Sequence, residues 1–254
     1  TAKFVKEAGI MKNGFSFQAG AGGISLAFAI YLKEMMIKEN IKARFIRGGS
    51  TKYLVEMLEE GLTDYILDGQ TFDLEGVRSM RENAGHVNTS PFTSYNWHGK
   101  GNFASQVDAV VLGATEVDLK FNANVVTHSD GQMLHGIGGW QNCLFSKCTI
   151  LSIPAFRGRY PIIVDEVTTL VGPGELIDVI ITELGIAINP LRKDLIEATK
   201  RSQLPIRDIR EIKDEVDQLL GEVPAKPQLM DEPIAVVKWV DGTLIDTIFK
   251  LEAT

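Results

Sequence analysis

The chain has 254 residues, 44% hydrophobic and 23% charged, with a formal net charge of −7; this fits a soluble globular protein of one large domain or two modest ones. The acidic balance argues against nucleic acid or an anionic membrane as the main partner, though not against a small anion held by local donors. No apolar run reaches the roughly 18–20 residues of a membrane span, the opening TAKFVKEAGIMKNG lacks a signal-peptide core, and Cys143 and Cys148 are too few for a disulfide framework, so a reduced cytoplasmic protein is expected.

The first half alternates between strand and helix patterns. GFSFQAG (14–20) reads as a short strand ending in glycine, and GGISLAFAIYLKEMMIKEN (22–40) as a helix apolar over most of its circumference and therefore buried. IKARFI (41–46) is a second strand running into RGGST (47–51), and TKYLVEMLEEG a helix with Ser50 or Thr51 as N-cap and Gly61 as its stop. DYILDG is a third strand and DLEGVRSMREN a helix. Residues 84–105 are polar and aromatic-dotted and read as a long loop. VDAVVLGA (107–114) is apolar enough for the centre of a parallel sheet.

The second half is richer in strands: TILSIPAF, YPIIVDEVTTLV and LIDVIITELGIAIN. Asn189-Pro190 predicts the N-cap and first position of a helix over LRKDLIEATKR. Ile209, Ile212, Val216 and Leu219 recur at helical spacing in the next. A proline-bearing link (221–233) precedes two last strands, IAVVKWV and TLIDTIF. The expected fold is α/β: an open, mostly parallel sheet flanked by helices, with a β-rich second portion.

Three glycine-rich turns share one design: AGAGG (19–23), RGGST (47–51) and HGIGG (135–139). Ligands of open parallel sheets bind beyond the carboxyl ends of the strands, where glycine lets backbone amides approach them. Amides at a helix start also attract negative charge. The three turns therefore suit a phosphate, a carboxylate or a developing oxyanion, while ordinary structural glycine remains the alternative for each. No Lys-Ser or Lys-Thr follows HGIGG, so it is not a Walker-type phosphate loop. A dinucleotide site is excluded in detail: GAGGIS places Ser25 where a third glycine belongs, and no acidic residue closes the second strand. Glu116 follows the strand VVLGA, where it could touch a substrate or orient a loop. His128, Asp130 and His135 match no standard metal spacing, and no metal is expected.

The order of these segments resembles the coenzyme A transferase superfamily and, within it, the citrate lyase α-chain family. The resemblance is carried by GFSFQAGAGGISLA, DGQTFDLEGVRSMREN, VDAVVLGATEVDLKFNANV, the Gly-x-Gly-Gly at 136–139, residues 157–195 and WVDGTLIDTIF. It runs over nearly the whole chain, as a single domain over 1–254 matching the second, C-terminal half of a two-domain enzyme. With Thr1 in place of a Met, an expressed piece, a processed chain or the second part of a longer polypeptide is expected.

The resemblance implies acetyl-carrier + citrate → citryl-carrier + acetate. The thiol would be coenzyme A or the dephospho-coenzyme-A-derived group of an acyl carrier, a substrate rather than a cofactor of this chain. Implied partners are the β and γ (acyl carrier) subunits, the N-terminal half and further copies of the chain in a homo-oligomer. Gly136, Gly138 and Gly139 would line the thioester site, with Trp140 against the acyl or pantetheine arm or in the core, and Asn124 bonded to the arm or to local backbone. Many relatives carry a nucleophilic glutamate at the turn that here reads RGGST, so the resemblance implies direct exchange without a glutamyl-coenzyme A. Citrate's carboxylates would then fall to Arg47, Ser50 and the amides of Gly48 and Gly49, with Gly20, Gly22 and Gly23 as further backbone donors. A related transferase for malonate or acetate, or a sugar-phosphate-binding protein of the same fold, is the alternative.

Overall fold

A computed structural model describes residues 1–20, 22–95 and 102–252. Ala21 of the first glycine turn and residues 96–101 of the long loop lie outside the described residues. The chain forms two compact units interleaved in sequence. Thr1–Leu112, Phe145–Ile150 and Lys193–Leu204 form the first, and Gly113–Leu144, Leu151–Arg192 and Pro205–Thr254 the second.

The first unit opens with helix α1 (Ala2–Glu7) and is built on parallel strands β1 (Ser16–Ala19), β2 (Phe45–Ser50), β3 (Ile66–Thr71), β4 (His86–Asn88) and β5 (Ala109–Leu112), in the order β5-β1-β2-β3-β4. β1 and β5 are buried at every position; β5 is not an edge, because the 145–150 segment of the same unit lies on its other side, with the Val110 amide on the Cys148 carbonyl at 2.9 Å. Helices α2 (Gly23–Glu39), α3 (Lys52–Glu59), α4 (Leu74–Glu82) and the short α5 (Pro91–Tyr95) connect them. Asp73 starts α4 by accepting the Gly76 amide at 2.8 Å, and its other oxygen accepts the Lys52 amide at 2.7 Å. α2 stops at Asn40 in the left-handed conformation.

Three expectations change here. α2 buries only one side: Phe28, Leu32 and Met36 are covered, but Tyr31 is 62% and Ile37 55% exposed. Residues 47–50 are not a turn but the end of β2, because Gly48 and Gly49 pair with Asp68 and Gln70 across a bulge. The loop 84–105 contains β4 and α5; its polar composition hides an edge strand, since among the described residues β4 pairs only with β3.

The chain then enters the second unit through β6 (Glu116–Asp118), β7 (Ala123–Asn124) and the one-turn helix α6 (Trp140–Cys143). β8 (Thr149–Ser152) precedes a hairpin of β9 (Phe156–Arg157) and β10 (Tyr160–Pro161); β11 (Ile163–Val164) lies parallel to β6. β12 (Val179–Thr182) and β13 (Gly185–Ile188) form an antiparallel pair. After α7 (Lys193–Thr199), which belongs to the first unit, the second closes with α8 (Ile209–Leu220) and the hairpin β14 (Leu229–Lys238) and β15 (Leu244–Leu251). β14 thus begins inside the expected proline-bearing link.

YPIIVDEVTTLV is extended only at β10 and β11. Beyond them the backbone is held by carboxylates instead of a ladder: Glu116 takes the Thr168 amide at 2.7 Å and Asp246 the Leu170 amide at 2.6 Å. Asn189 does not cap a helix at Pro190. Its Nδ2 donates to the carbonyls of Gly174 and Ile177, its Oδ1 accepts the Leu191 amide, and the helix starts later, at Lys193. In α8, Ile209, Ile212 and Val216 face the core, whereas Leu219 is exposed. Among the described residues no helix is long and apolar enough to cross a membrane.

Candidate functional site

In the first unit, β1 and β2 run side by side with Gln18 opposite Arg47 and Ala19 opposite Gly48, so two of the glycine-rich segments meet at one strand end. Gly22 caps α2 without a side chain, and the amides of Gly23, Ile24 and Ser25 donate no hydrogen bond among the described residues. A Cβ at Gly22 or Gly23 would meet nothing, while one at Gly20 would press on the Ser25 hydroxyl at 3.2 Å. Three open amides at the head of a 17-residue helix present partial positive charge.

The second segment is closed by comparison. Arg47 is 1% exposed; its guanidinium donates to Gln18 Oε1 at 2.5 Å and to the Ser94 carbonyl at 3.1 Å. Gly48, at φ +108°, lies under the Gln18 side chain, and a Cβ at Gly49 would fall 1.7 Å from the Phe72 ring. These glycines let side chains cross the strand. The Ser50 hydroxyl is committed to Asp68 Oδ2 at 2.6 Å.

Asp68 is the hub of a buried cluster that sequence patterns do not reveal. Oδ2 also accepts from Thr71 Oγ1 and lies 3.2 Å from His86 Nε2; Oδ1 accepts the Gln70 amide, and His86 Nδ1 is 2.8 Å from Ser79 Oγ. Burial alone pushes the Asp68 carboxyl up, but the bonds from His86, Ser50, Thr71 and the Gln70 amide outweigh it and hold the group below its ordinary value. A carboxyl depressed on folding adds stability above its unfolded value, near 4, and loses it as pH falls through the folded value. Asp68→Asn is therefore expected to lose about 1–3 kcal/mol at pH 7 through an unpaired buried donor. The gap from wild type should narrow below about pH 4 in urea titrations; a gap constant down to pH 2 would remove the charge from this account.

In the second unit, Glu116 and Asn124 are cross-strand neighbours on β6 and β7. Both are buried. The Glu116 carboxylate accepts from Asn124 Nδ2 at 3.0 Å, the Thr168 amide at 2.7 Å and the Thr168 hydroxyl at 2.9 Å. Asn124 also donates to Thr127 Oγ1, its Oδ1 takes the amides of Val126 and Thr127, and Thr127 is bonded to Thr169. Of the two roles open to Glu116, the geometry contains loop orientation: it ties residues 168–169 to β6. Thr168 and Thr169 are the partners that strand patterning missed; their place in VTTLVGPG was the only signal.

Ten residues after Asn124 the chain runs back beside it, with the Leu134 amide on the Val126 carbonyl at 2.7 Å, and enters the Gly-x-Gly-Gly turn. Among the described residues none of the amides from Gly136 to Gly139 donates a hydrogen bond. Gly138 has φ +58°, and a Cβ at Gly136 or Gly138 would meet nothing within 4 Å. Gly139 caps α6. This is an exposed turn with open donors and room in front of them. The Trp140 indole is a packing group: Nε1 donates to the Gly113 carbonyl at 2.9 Å, and a Cβ at Gly172 would strike the ring at 2.5 Å. Gly174 sits so close to Lys120 that a Cβ would lie 1.9 Å from its carbonyl oxygen. Among the described residues no group of three His, Cys, Asp or Glu is placed to hold a metal ion.

The family model described as "Citrate lyase, alpha subunit (CitF)" matches residues 1–251. The citrate lyase alpha chain of Haemophilus influenzae is 38% identical over 252 residues, which are 99% of this chain and 50% of that one. The citrate lyase alpha chain of Klebsiella pneumoniae is 38% identical over 248 residues, covering 97% of this chain and 49% of that one. A crystal structure assigned to the alpha subunit of citrate lyase from Streptococcus mutans, in complex with citrate, superposes with TM-score 0.96 at 41% identity, over 99% of this chain and 50% of that one. The chain thus spans about half the length of the relatives it matches.

Proposed function

Because the chain belongs to the citrate lyase alpha-subunit family, we propose that it serves a transferase that exchanges the acetyl group of an acetyl-carrier thioester, or of acetyl-coenzyme A, for citrate. One observation carries this reading: an exposed turn whose amides, from Gly136 to Gly139, have no internal acceptor among the described residues. A citrate carboxylate oxygen attacks the acetyl carbonyl carbon, and the carbon–sulfur bond breaks to release thiolate and leave a mixed anhydride. The thiolate then attacks the citryl carbonyl of the anhydride, forming citryl thioester and releasing acetate. Each step builds negative charge on a carbonyl oxygen, and preorganised amides stabilise it by about 3–4 kcal/mol per donor.

Gly136, Gly138 and Gly139 supply those donors, while Glu116 and Asn124 act as positioning residues for the 168–169 segment. In the first unit, the open amides after Gly22 are the candidates for carboxylates, whereas the buried Arg47 guanidinium, bonded to Gln18 and Ser94, holds the strand end in place. Gly48, Gly49 and Ser50 shape that strand end, and Gly20 leaves room for Ser25. Citrate as the acceptor is supported by the citrate held in the Streptococcus mutans structure. Direct exchange is supported by the β2 end, Arg-Gly-Gly-Ser, which holds no carboxylate of its own. The active protein on this reading is a cytoplasmic oligomer that also contains the other, N-terminal half of the transferase, an acyl carrier and a lyase subunit.

The test is a carboxylate panel of citrate, malonate and isotopically labelled acetate, the last read as label exchange into the thioester, with acetyl-coenzyme A as donor and the complementary half present. Citrate should be the preferred acceptor, and borohydride added during turnover should trap no glutamyl adduct on this chain. A trapped glutamate would end the direct-exchange account; equal rates with all three acids would end the assignment to citrate.

A further inference from the structure

We infer that a cavity of about 330 Å³ in the second unit is a second anion site, one that takes a phosphate or carboxylate group of a small molecule through Arg157, His128, Ser129 and Tyr160. Two hydrogen-bonded turns form its wall. The β9–β10 hairpin turns at Gly158, with φ +63°, and sets Arg157 directly opposite Tyr160, so both side chains leave the same face. The 128–132 turn is closed by the His128 amide on the Gln132 carbonyl and the Gly131 amide on the His128 carbonyl, both at 2.9 Å. At its tip Gly131 has φ +81° and is packed so tightly that a Cβ would meet Leu251 at 2.6 Å.

The donors on this wall are unused. Among the described residues the side chains of Arg157, His128, Ser129 and Tyr160 make no hydrogen bond or ion pair, whereas neighbouring cations are engaged. Arg159 donates to the Glu222 carbonyl, Lys226 to the Glu166 carbonyl, and Lys213 pairs with Asp165 and Asp217. A guanidinium fork beside an imidazole and two hydroxyls is donor chemistry suited to an oxyanion. Asp130 opposes it with one carboxylate, whose Oδ1 accepts the Gln132 amide at 2.9 Å. The turn is joined at its base by the Thr127–Met133 bridge, three residues before Gly136. The site therefore grows from the same segment that leads into the glycine turn.

Binding itself does not rest on the transferase reading; only the choice of citrate and coenzyme A among the probes does. The chain, isotopically labelled, is titrated at constant ionic strength with inorganic phosphate, citrate and coenzyme A while the His128 ring signals are followed by NMR. At least one probe should shift them saturably. Arg157→Gln should weaken that binding about tenfold or more, and Asp130→Asn should tighten it. Response to phosphate and coenzyme A without citrate identifies a phosphate site; response to citrate alone identifies a carboxylate site. No shift with any probe, or a shift that Arg157→Gln leaves unchanged in a protein with an otherwise wild-type spectrum, overturns the inference. Loss of acyl transfer with binding intact touches only the transferase reading.

Discussion

Gly138→Val is expected to reduce acyl transfer to citrate by about 10²–10³-fold while leaving the protein folded. The valine Cβ would meet nothing within 4 Å, so there is no internal clash to destabilise the fold. A residue forced to φ near +58° costs roughly 1–2 kcal/mol, a modest part of a typical stability of about 5–15 kcal/mol. The same change places a branched side chain in the open space before the turn and bends its amides away from their aim. Gly242→Val is the control. It too lies at positive φ with nothing around it, in the β14–β15 turn, and should strain the backbone without touching transfer. Turnover measured beside thermal unfolding decides the matter: wild-type rates in Gly138→Val would take the turn out of the chemistry.

Glu116→Ala should be the most destabilising single truncation of a polar side chain in the second unit, by about 3 kcal/mol or more. It removes one acceptor from three donors: the Thr168 amide, the Thr168 hydroxyl and Asn124 Nδ2. The half-buried Thr168 amide and hydroxyl lose their acceptor and Asn124 Nδ2 keeps only its bond to Thr127 Oγ1, and an unpaired buried donor costs about 1–3 kcal/mol. Glu116→Gln keeps the shape and one acceptor oxygen but turns an amino group toward a donor, so its loss should be intermediate. Denaturant titration measures both. If Glu116→Ala loses less than about 1 kcal/mol but all of its transfer activity, the carboxylate works on substrate rather than on the loop.

Much of the first unit was legible before the structure. Alternating apolar strands and capped helices follow local rules, and VDAVVLGA shows its inner place by carrying a single polar side chain, Asp108, at its start. What failed to show were features set by distant partners. Asp68 looks like a turn residue after a strand, yet it gathers Ser50, Thr71 and His86 from three other points of the chain. The segment after β11 has strand-like composition, but its amides find carboxylates on β6 and β15, and composition cannot report that. Glycines are ambiguous for the same reason. Gly48, Gly49, Gly172 and Gly174 are small because something packs on them, whereas Gly22, Gly136 and Gly138 have open space before them. Spacing alone could not sort the two kinds, and only the second kind leaves a backbone able to meet a ligand.

The interleaving of the two units carries a consequence for synthesis. The first unit needs Lys193–Leu204 and the second needs Pro205–Thr254. Neither can be complete when Leu112 leaves the ribosome, nor when Leu144 does. The nascent chain must therefore hold an unfinished sheet until its last fifth has emerged, and no cut at an internal boundary releases a whole unit. An unfinished sheet leaves strand edges unpaired and apolar faces bare, so the growing polypeptide is open to unwanted association until both units close.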